Sequence, residues 1–264
     1  MKSKIFIVST LIATMFLSGS CQKWKRQKND KILRVAVTTE IPTLDPATAY
    51  DTVSSSAIYQ SYESLYQYHY LKRPYTLEPL LAAAMPKVEG NGKRLVIKIK
   101  TGIRYHDDPA FNGKVRLVEA EDFITQIKRV AFEPTGSTGW GLFEGRIQGI
   151  DQFRKEAGSD FNKFKTLSIS GLKAIDKETL QVDLNAPYPQ MLYAFAMTFT
   201  SPLPMEAVEY YKNNFHDHIL GTGPFILKEW KKESHLIMVK NPNYHDEFYP
   251  AQGDRQANES GLLS

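Results

Sequence analysis

With a single cysteine, Cys21, among its 264 residues, the chain has no internal disulfide, so it is neither a disulfide-stapled scaffold nor a cysteine-rich zinc module. It also lacks a long apolar run: the longest, Ile5 to Leu17, is interrupted by Ser9, Thr10 and Thr14 and falls short of the about 20 residues that cross a bilayer core. Glycine and proline, at 16 and 14, are near ordinary usage, and no internal repeat or low-complexity tract is present, which excludes collagen-like and solenoid architectures. Distributed positive charge is missing too. The formal net charge is +4, yet Lys2, Lys4, Lys23, Lys25, Arg26, Lys28 and Lys31 stand against Asp30 alone in the first 31 residues, and the remainder is slightly acidic. A nucleic-acid-binding face is therefore not supported. What is present is core material: 42% hydrophobic residues, 14 Phe and 14 Tyr, in a chain long enough to bury about 70 to 75% of its unfolded surface.

The positive charge at the start belongs to a three-part layout. Lys2 and Lys4 precede the apolar run, and the small residues Ser18, Gly19 and Ser20 follow it, as in a secretory signal over residues 1–20. Cys21 stands directly after them. This arrangement resembles the lipobox of bacterial lipoproteins, with Leu17 four residues before the cysteine instead of three. The resemblance implies acylation of Cys21 and a membrane anchor, with residues 21–31 as a lipidated cysteine and basic tether.

Beyond the tether, Ile32–Thr38 is rich in β-branched residues and predicts a buried strand. Ile58, Tyr62, Leu65 and Tyr66 recur at helical spacing behind the capping candidates Ser54–Ser56. Leu95–Lys100 alternates and predicts a strand with Leu95, Ile97 and Ile99 inward. Ala120–Ala131 carries Phe123, Ile127 and Val130 on one helical face, acids in its first turn and Lys128 and Arg129 in its last, matching the helix dipole. Leu167–Ala174 and Thr179–Leu184 predict a hairpin, as do Phe225–Trp230 and His235–Lys240, and further helices are expected over Tyr188–Met197 and Met205–Tyr211. Strands and helices mix without regular βαβ alternation, which gives an α/β or α+β fold with mixed sheets.

Candidate catalytic groups are sparse. His106-Asp107-Asp108 contains metal-ligand and acid/base residue types, but consecutive side chains diverge, and His216-Asp217-His218 reads as solvated surface. Ser170-Gly171-Leu172-Lys173 fits S-x-x-K but lies in a β-type run where that motif needs a helix start. Gly221-Thr222-Gly223 lacks the third glycine of a dinucleotide loop. Asn258-Glu259-Ser260 matches a glycosylation sequon by pattern alone. No metal or cofactor is implied. Of the aromatics Tyr50, Tyr59, Tyr62, Tyr66, Trp140, Tyr188, Tyr193, Phe225 and Trp230, most are expected in the core; Trp140, in the glycine-rich stretch TGSTGWG, is placed to face a cleft.

In chain order, ILRVAVTTEIPTLDP, YESLYQY, LEPLLAAAMP, KRLVIKIKTGIRYHDDPAF, VEAEDFITQIKRV and GTGPFILKEW with MVKNPNY resemble successive signature segments of the extracytoplasmic solute-binding proteins of ABC transporters, in the family of oligopeptide-, dipeptide- and nickel-binding proteins. Ser64 and Asp108 stand where that family usually has Gly. The resemblance implies a periplasmic-binding-protein-like fold, type II and two-lobed, a monomer without enzymatic activity that closes around an oligopeptide outside the cytoplasmic membrane and delivers it to ABC permease subunits. It implies a first lobe built from 32–62 and 204–247, an inserted subdomain over 63–203, and, because the family continues past N-P-N-Y, an incomplete chain in which 248–264 opens a missing segment. By position it implies ligand contacts at Tyr50, Asp51, Thr52 and Trp140. Within the family, nickel, haem or oligosaccharide are the alternative ligands. Outside it, the alternatives are a secreted hydrolase using His106 and Asp107, or an inactive fragment.

Overall fold

The structure, a computed structural model, describes residues 31–245 and Glu247. The expected signal at 1–20, Cys21 with the tether as far as Asp30, the segment 248–264 and the Asn258 sequon lie outside the described residues. The chain divides into two compact units, Met1–Thr38 and Thr39–Ser264.

In the first unit, Ile32–Thr38 forms no strand, and Leu33 is 88% exposed. This corrects the expectation of a buried strand: β-branched residues favour extended backbone, but a strand exists only within a hydrogen-bonded ladder.

The second unit begins with the loop 39–50 and helix α1 (Thr52–Ile58), followed by strands β1 (Tyr66–Tyr68), β2 (Leu77–Pro79), β3 (Lys87–Glu89) and β4 (Arg94–Lys98). Helices α2 (Ala120–Ala131), α3 (Ile150–Ala157) and α4 (Phe161–Thr166) come next, then the hairpin β5 (Leu172–Asp176) and β6 (Thr179–Asp183). The chain ends in α5 (Met191–Ala194), α6 (Met205–Tyr211) and the hairpin β7 (Phe225–Lys231) with β8 (His235–Lys240). Every ladder among the described residues is antiparallel, in sheets ordered β1-β2, β3-β4-β6-β5 and β7-β8, so the expected mixed sheets are not found there.

The alternation in β4 works as expected. Leu95, Ile97 and Ile99 are buried, with Leu95 opposite Val182 and Ile97 opposite Leu180, and α2 packs across β5 and β6. Helix α2 has the anticipated bounds, and its N-terminus is closed by the Asp122 carboxylate, which accepts from the Glu119 N–H at 2.8 Å. Helix α6 and the β7–β8 hairpin also lie where periodicity put them.

Other elements differ. The helix expected through Tyr66 is instead α1, which ends at Ile58 and whose start is set by Asp51: its Oδ1 accepts from the Val53 and Ser54 N–H groups at 3.1 and 2.8 Å. Tyr62 and Leu65 are buried as loop residues and Tyr66 opens β1, so their spacing reflected burial and not helix. Leu167–Gly171 is loop and turn before β5, and only Met191–Ala194 of Tyr188–Met197 is helical, behind Pro187 and Pro189. Helices α3 and α4 were not anticipated; α3 does carry its buried residues Ile150, Phe153 and Ala157 at i, i+3 and i+7, a signal the sequence reading missed, whereas α4 buries only Phe164 and shows no period.

The Gly-Thr-Gly segment has a packing role. The Gly223 N–H donates to the Ser61 carbonyl at 2.8 Å, the Gly221 carbonyl accepts from the His106 N–H at 2.9 Å, and the Gly223 carbonyl accepts from His106 Nε2 and Asn241 Nδ2, each at 3.0 Å. A Cβ on Gly221 would lie 1.9 Å from the Ser61 carbonyl oxygen. The turn after β8 is tied to the same region by buried Glu63, which accepts from Thr222 Oγ1 at 2.6 Å and from His245 Nε2 at 2.8 Å. The hydrogen bond to Glu63 raises the His245 pKa above its ordinary value against the opposing effect of burial.

Gly221→Ala is expected to lower stability by about 3 kcal/mol, since backbone cannot move aside as a side chain can; an unchanged urea midpoint would refute the close approach. Because His245 is raised in the folded state, its contribution is complete below its unfolded pKa of about 6.5 and is lost as pH rises through the folded value. Amide exchange in Tyr244 and His245, corrected for intrinsic rates, should therefore be slower at about pH 6 than at about pH 8, and His245→Gln should abolish that difference.

Candidate functional site

The loop before α1 is fixed from three sides. Asp45 accepts from Arg129 Nη2 and Nη1 at 2.7 and 3.0 Å, with both side chains buried; the Leu44 N–H donates to the His216 carbonyl at 2.8 Å; and the Ser137 hydroxyl donates to the Ala47 carbonyl. This last bond joins the loop that leads to Tyr50, Asp51 and Thr52 with the segment that leads to Trp140. Tyr50 is 73% exposed and Thr52 is exposed, whereas the Asp51 carboxylate is committed to capping α1.

Trp140 starts a 3-10 turn, Trp140–Leu142, and is half-buried against the main core. The Arg154 guanidinium lies 4.8 Å from its ring centroid. Gly139, just before it, fits against the Phe199 ring; a Cβ there would meet that ring at 2.6 Å. The segment carrying Phe199 is pinned in turn: Gln126 Nε2 donates to the Phe199 carbonyl at 3.1 Å, Ser64 Oγ to the Met197 carbonyl at 2.9 Å, and the Tyr66 N–H to the Phe195 carbonyl at 3.2 Å.

Along this segment runs an open groove of about 390 Å³, walled by Tyr59, Tyr68, Tyr188 and Tyr193 and floored by Leu142, Ala194, Ala196 and Met197, with Gln190 also on its lining. Tyr59 and Tyr193, expected in the core, are 51% and 46% exposed. Residue type alone did not mark them, since Tyr62, Tyr66 and Tyr105 are buried in the same fold. Partial burial raises the Tyr59 hydroxyl above its ordinary pKa. Tyr68, on β1, had no sequence signal, because a three-residue strand shows no period.

The polar triplets part company in the fold. His106 is buried and donates from Nε2 to the Gly223 carbonyl, whereas Asp107 is exposed and paired with Arg104, so the two do not meet as a catalytic pair would. The Asp108 side chain is buried and accepts from His218 Nε2 at 2.7 Å, Tyr211 Oη at 2.9 Å and the Ala110 N–H at 2.8 Å. Burial pushes the Asp108 carboxyl up, and these donors outweigh it and hold its pKa below the ordinary value. His218, expected to be solvated, is thus a long-range tie, stacked on Tyr211 with centroids 3.9 Å apart.

Residues 76–258 match the family of bacterial extracellular solute-binding proteins, family 5, in its middle segment. The chain is 25% identical over 213 residues to the glutathione-binding protein GsiB of Escherichia coli O1:K1, covering 80% of this chain and 34% of that protein. It is 27% identical over 259 residues to the oligopeptide-binding protein OppA of Bacillus subtilis, covering 93% and 44%. Among solved structures it resembles Listeria monocytogenes OppA bound to peptide, with a TM-score of 0.63 and 26% identity over 78% of this chain and 38% of that one. It resembles the pheromone receptor PrgZ with a TM-score of 0.63 and 27% identity, covering 78% and 38%. The chain therefore spans between about a third and less than half of the length of these relatives. On the match over most of its described residues, the chain belongs to the bacterial extracellular solute-binding proteins, family 5.

Proposed function

We propose that the chain captures oligopeptides outside the cytoplasmic membrane as the binding component of an ABC importer. The observation that carries this reading is the likeness in both sequence and fold to a relative described as bound to peptide. The juxtaposed loops leading to Tyr50 and Trp140, beside an open aromatic groove, support it. In this reading Tyr50, Asp51 and Thr52 offer main-chain and side-chain groups to an extended peptide, in the manner of an added strand, and Trp140 lines the cleft. The Asp51 carboxylate is occupied by capping and its carbonyl by the Ser55 N–H at 2.9 Å, which leaves its own N–H to the ligand.

The smaller apolar cluster supports a first lobe drawn from 32–62 and 204–247, since Leu44, Ala49, Ile58, Tyr62 and Ile219 form it with Leu227, Trp230, Leu236 and Met238 packed on it. Residues 63–203 are the inserted subdomain in this scheme. Cys21 acylation would hold the monomer at the membrane surface, where encounter with permease subunits becomes two-dimensional; the basic, apolar and small residues before Cys21 support it. Binding without chemical conversion accords with the separation of His106 from Asp107.

Titrating the full-length protein with short peptides should quench or shift its tryptophan emission. Trp140→Phe should lose most of that change while calorimetry still records binding. A variant that keeps the whole change would remove Trp140 from the cleft.

A further inference from the structure

We infer that the tyrosine groove is a specificity subsite that takes an aromatic side chain of the captured peptide. The inference rests on the peptide-binding reading and adds to it a preference that the family relationship does not supply.

The first ground is exposure without structural need. Tyr59, Tyr68 and Tyr193 are each about half exposed around one depression, although large rings in a folded chain usually find cover. The second is that the rings are held in place. Tyr68 lies against Tyr193 with centroids 6.1 Å apart and planes at 33°, Tyr75 meets Tyr68 edge-on at 5.8 Å, and the Arg146 guanidinium sits 4.8 Å from the Tyr188 centroid. Tyrosines fixed this way present large contact area with little rotamer entropy left to lose.

The third ground is charge. No Asp, Glu, Lys, Arg or His lines the groove, so a charged side chain entering it would lose water and meet the tyrosine hydroxyls and the Gln190 amide but no opposite charge. Arg146, stacked on Tyr188, is not among the lining residues, and its Nη1 is bonded to the Gly141 and Glu144 carbonyls at 2.5 and 3.3 Å. An aromatic ring instead meets ring edges and faces at the walls, where offset and edge-on pairs are favoured, and a floor of Ala194, Ala196 and the adaptable Met197.

The fourth ground is continuity and size. Leu142 of the floor belongs to the same turn as Trp140, so the groove adjoins the proposed cleft, and its volume of about 390 Å³ is at the small end of ligand sites, suited to one residue of a peptide and not to a whole one.

The test is calorimetric binding to the full-length protein of trialanine and of its variants with Phe or Glu placed in turn at each position, with wild-type protein and Tyr193→Ala. At least one Phe peptide is expected to bind about tenfold more tightly than trialanine and than its Glu counterpart, a gap of about 1.4 kcal/mol. Tyr193→Ala is expected to narrow that ratio to under about threefold, and Tyr193→Leu, which keeps the bulk at this surface position, to narrow it partly. Peptides that all bind equally, or a Glu peptide that binds best, overturn the subsite and leave peptide capture standing. No binding by any peptide overturns both. A concentration-dependent dimer in sedimentation that Tyr193→Ala disperses assigns the groove to a second copy of the chain and overturns the inference.

Discussion

The buried ion pair between Asp45 and Arg129 is the constraint on which the arrangement of this surface depends. Both carboxylate oxygens are engaged by the guanidinium, the Ala47 N–H adds a third donor to Asp45 at 2.9 Å, and the Arg129 plane lies 4.6 Å from the Phe215 centroid. Such a pair has a desolvation cost that its attraction only roughly offsets, so its contribution is positional. Losing one partner alone would strand a charge in the core at a cost of about 3 to 5 kcal/mol, which makes one register between the first loop, α2 and the 212–217 segment far better than any neighbouring one.

From that register the rest of the surface follows. With Asp45 fixed on α2, the Ala47 carbonyl reaches Ser137, which sets the turn carrying Trp140, and Gln126 from the same helix holds the Phe199 carbonyl. The residues lining the groove come from four separate stretches of chain, and α2 is the common reference for three of them through these hydrogen bonds. Two further buried carboxylates act in the same way. Asp108 gathers Tyr211 and His218, and Glu63 gathers Thr222 and His245, so that polar residues, each satisfied by several donors, fix where distant segments lie. The apolar core supplies the driving force for collapse, but apolar contacts are tolerant of small slips and directional hydrogen bonds are not.

Local pattern was legible wherever one element presents one buried face. Helix α2, strand β4, helix α6 and the β7–β8 hairpin lie where periodicity and turn residues placed them, and the β5–β6 hairpin keeps its turn but starts later than expected, because a period of 3.6 or 2 needs several residues to appear. The reading failed where burial came without regular structure. Tyr62, Leu65 and Tyr66 are spaced like a helix face but are buried by α1, the Gly-Thr-Gly segment and the strand that follows, and Ile32–Thr38 has the composition of a strand without forming one. His218 could not be paired with Asp108 from sequence, since a contact across so many residues leaves no local trace.

The amino-acid sequence by itself determined the class of the molecule: a slightly acidic body after residue 31 with ample core material, the principal amphipathic elements, and an ordered set of motifs that point to the family. These are properties of composition and short-range spacing, which survive without knowledge of the fold. Only the tertiary structure decided that the loop to Tyr50 and the turn of Trp140 are joined, that Asp51 is occupied as a helix cap, and that Tyr59, Tyr68, Tyr188 and Tyr193 share one groove. The reason is physical: such convergence is set by buried pairings between residues far apart in the chain, whose energies depend on geometry in three dimensions and leave no periodicity in one.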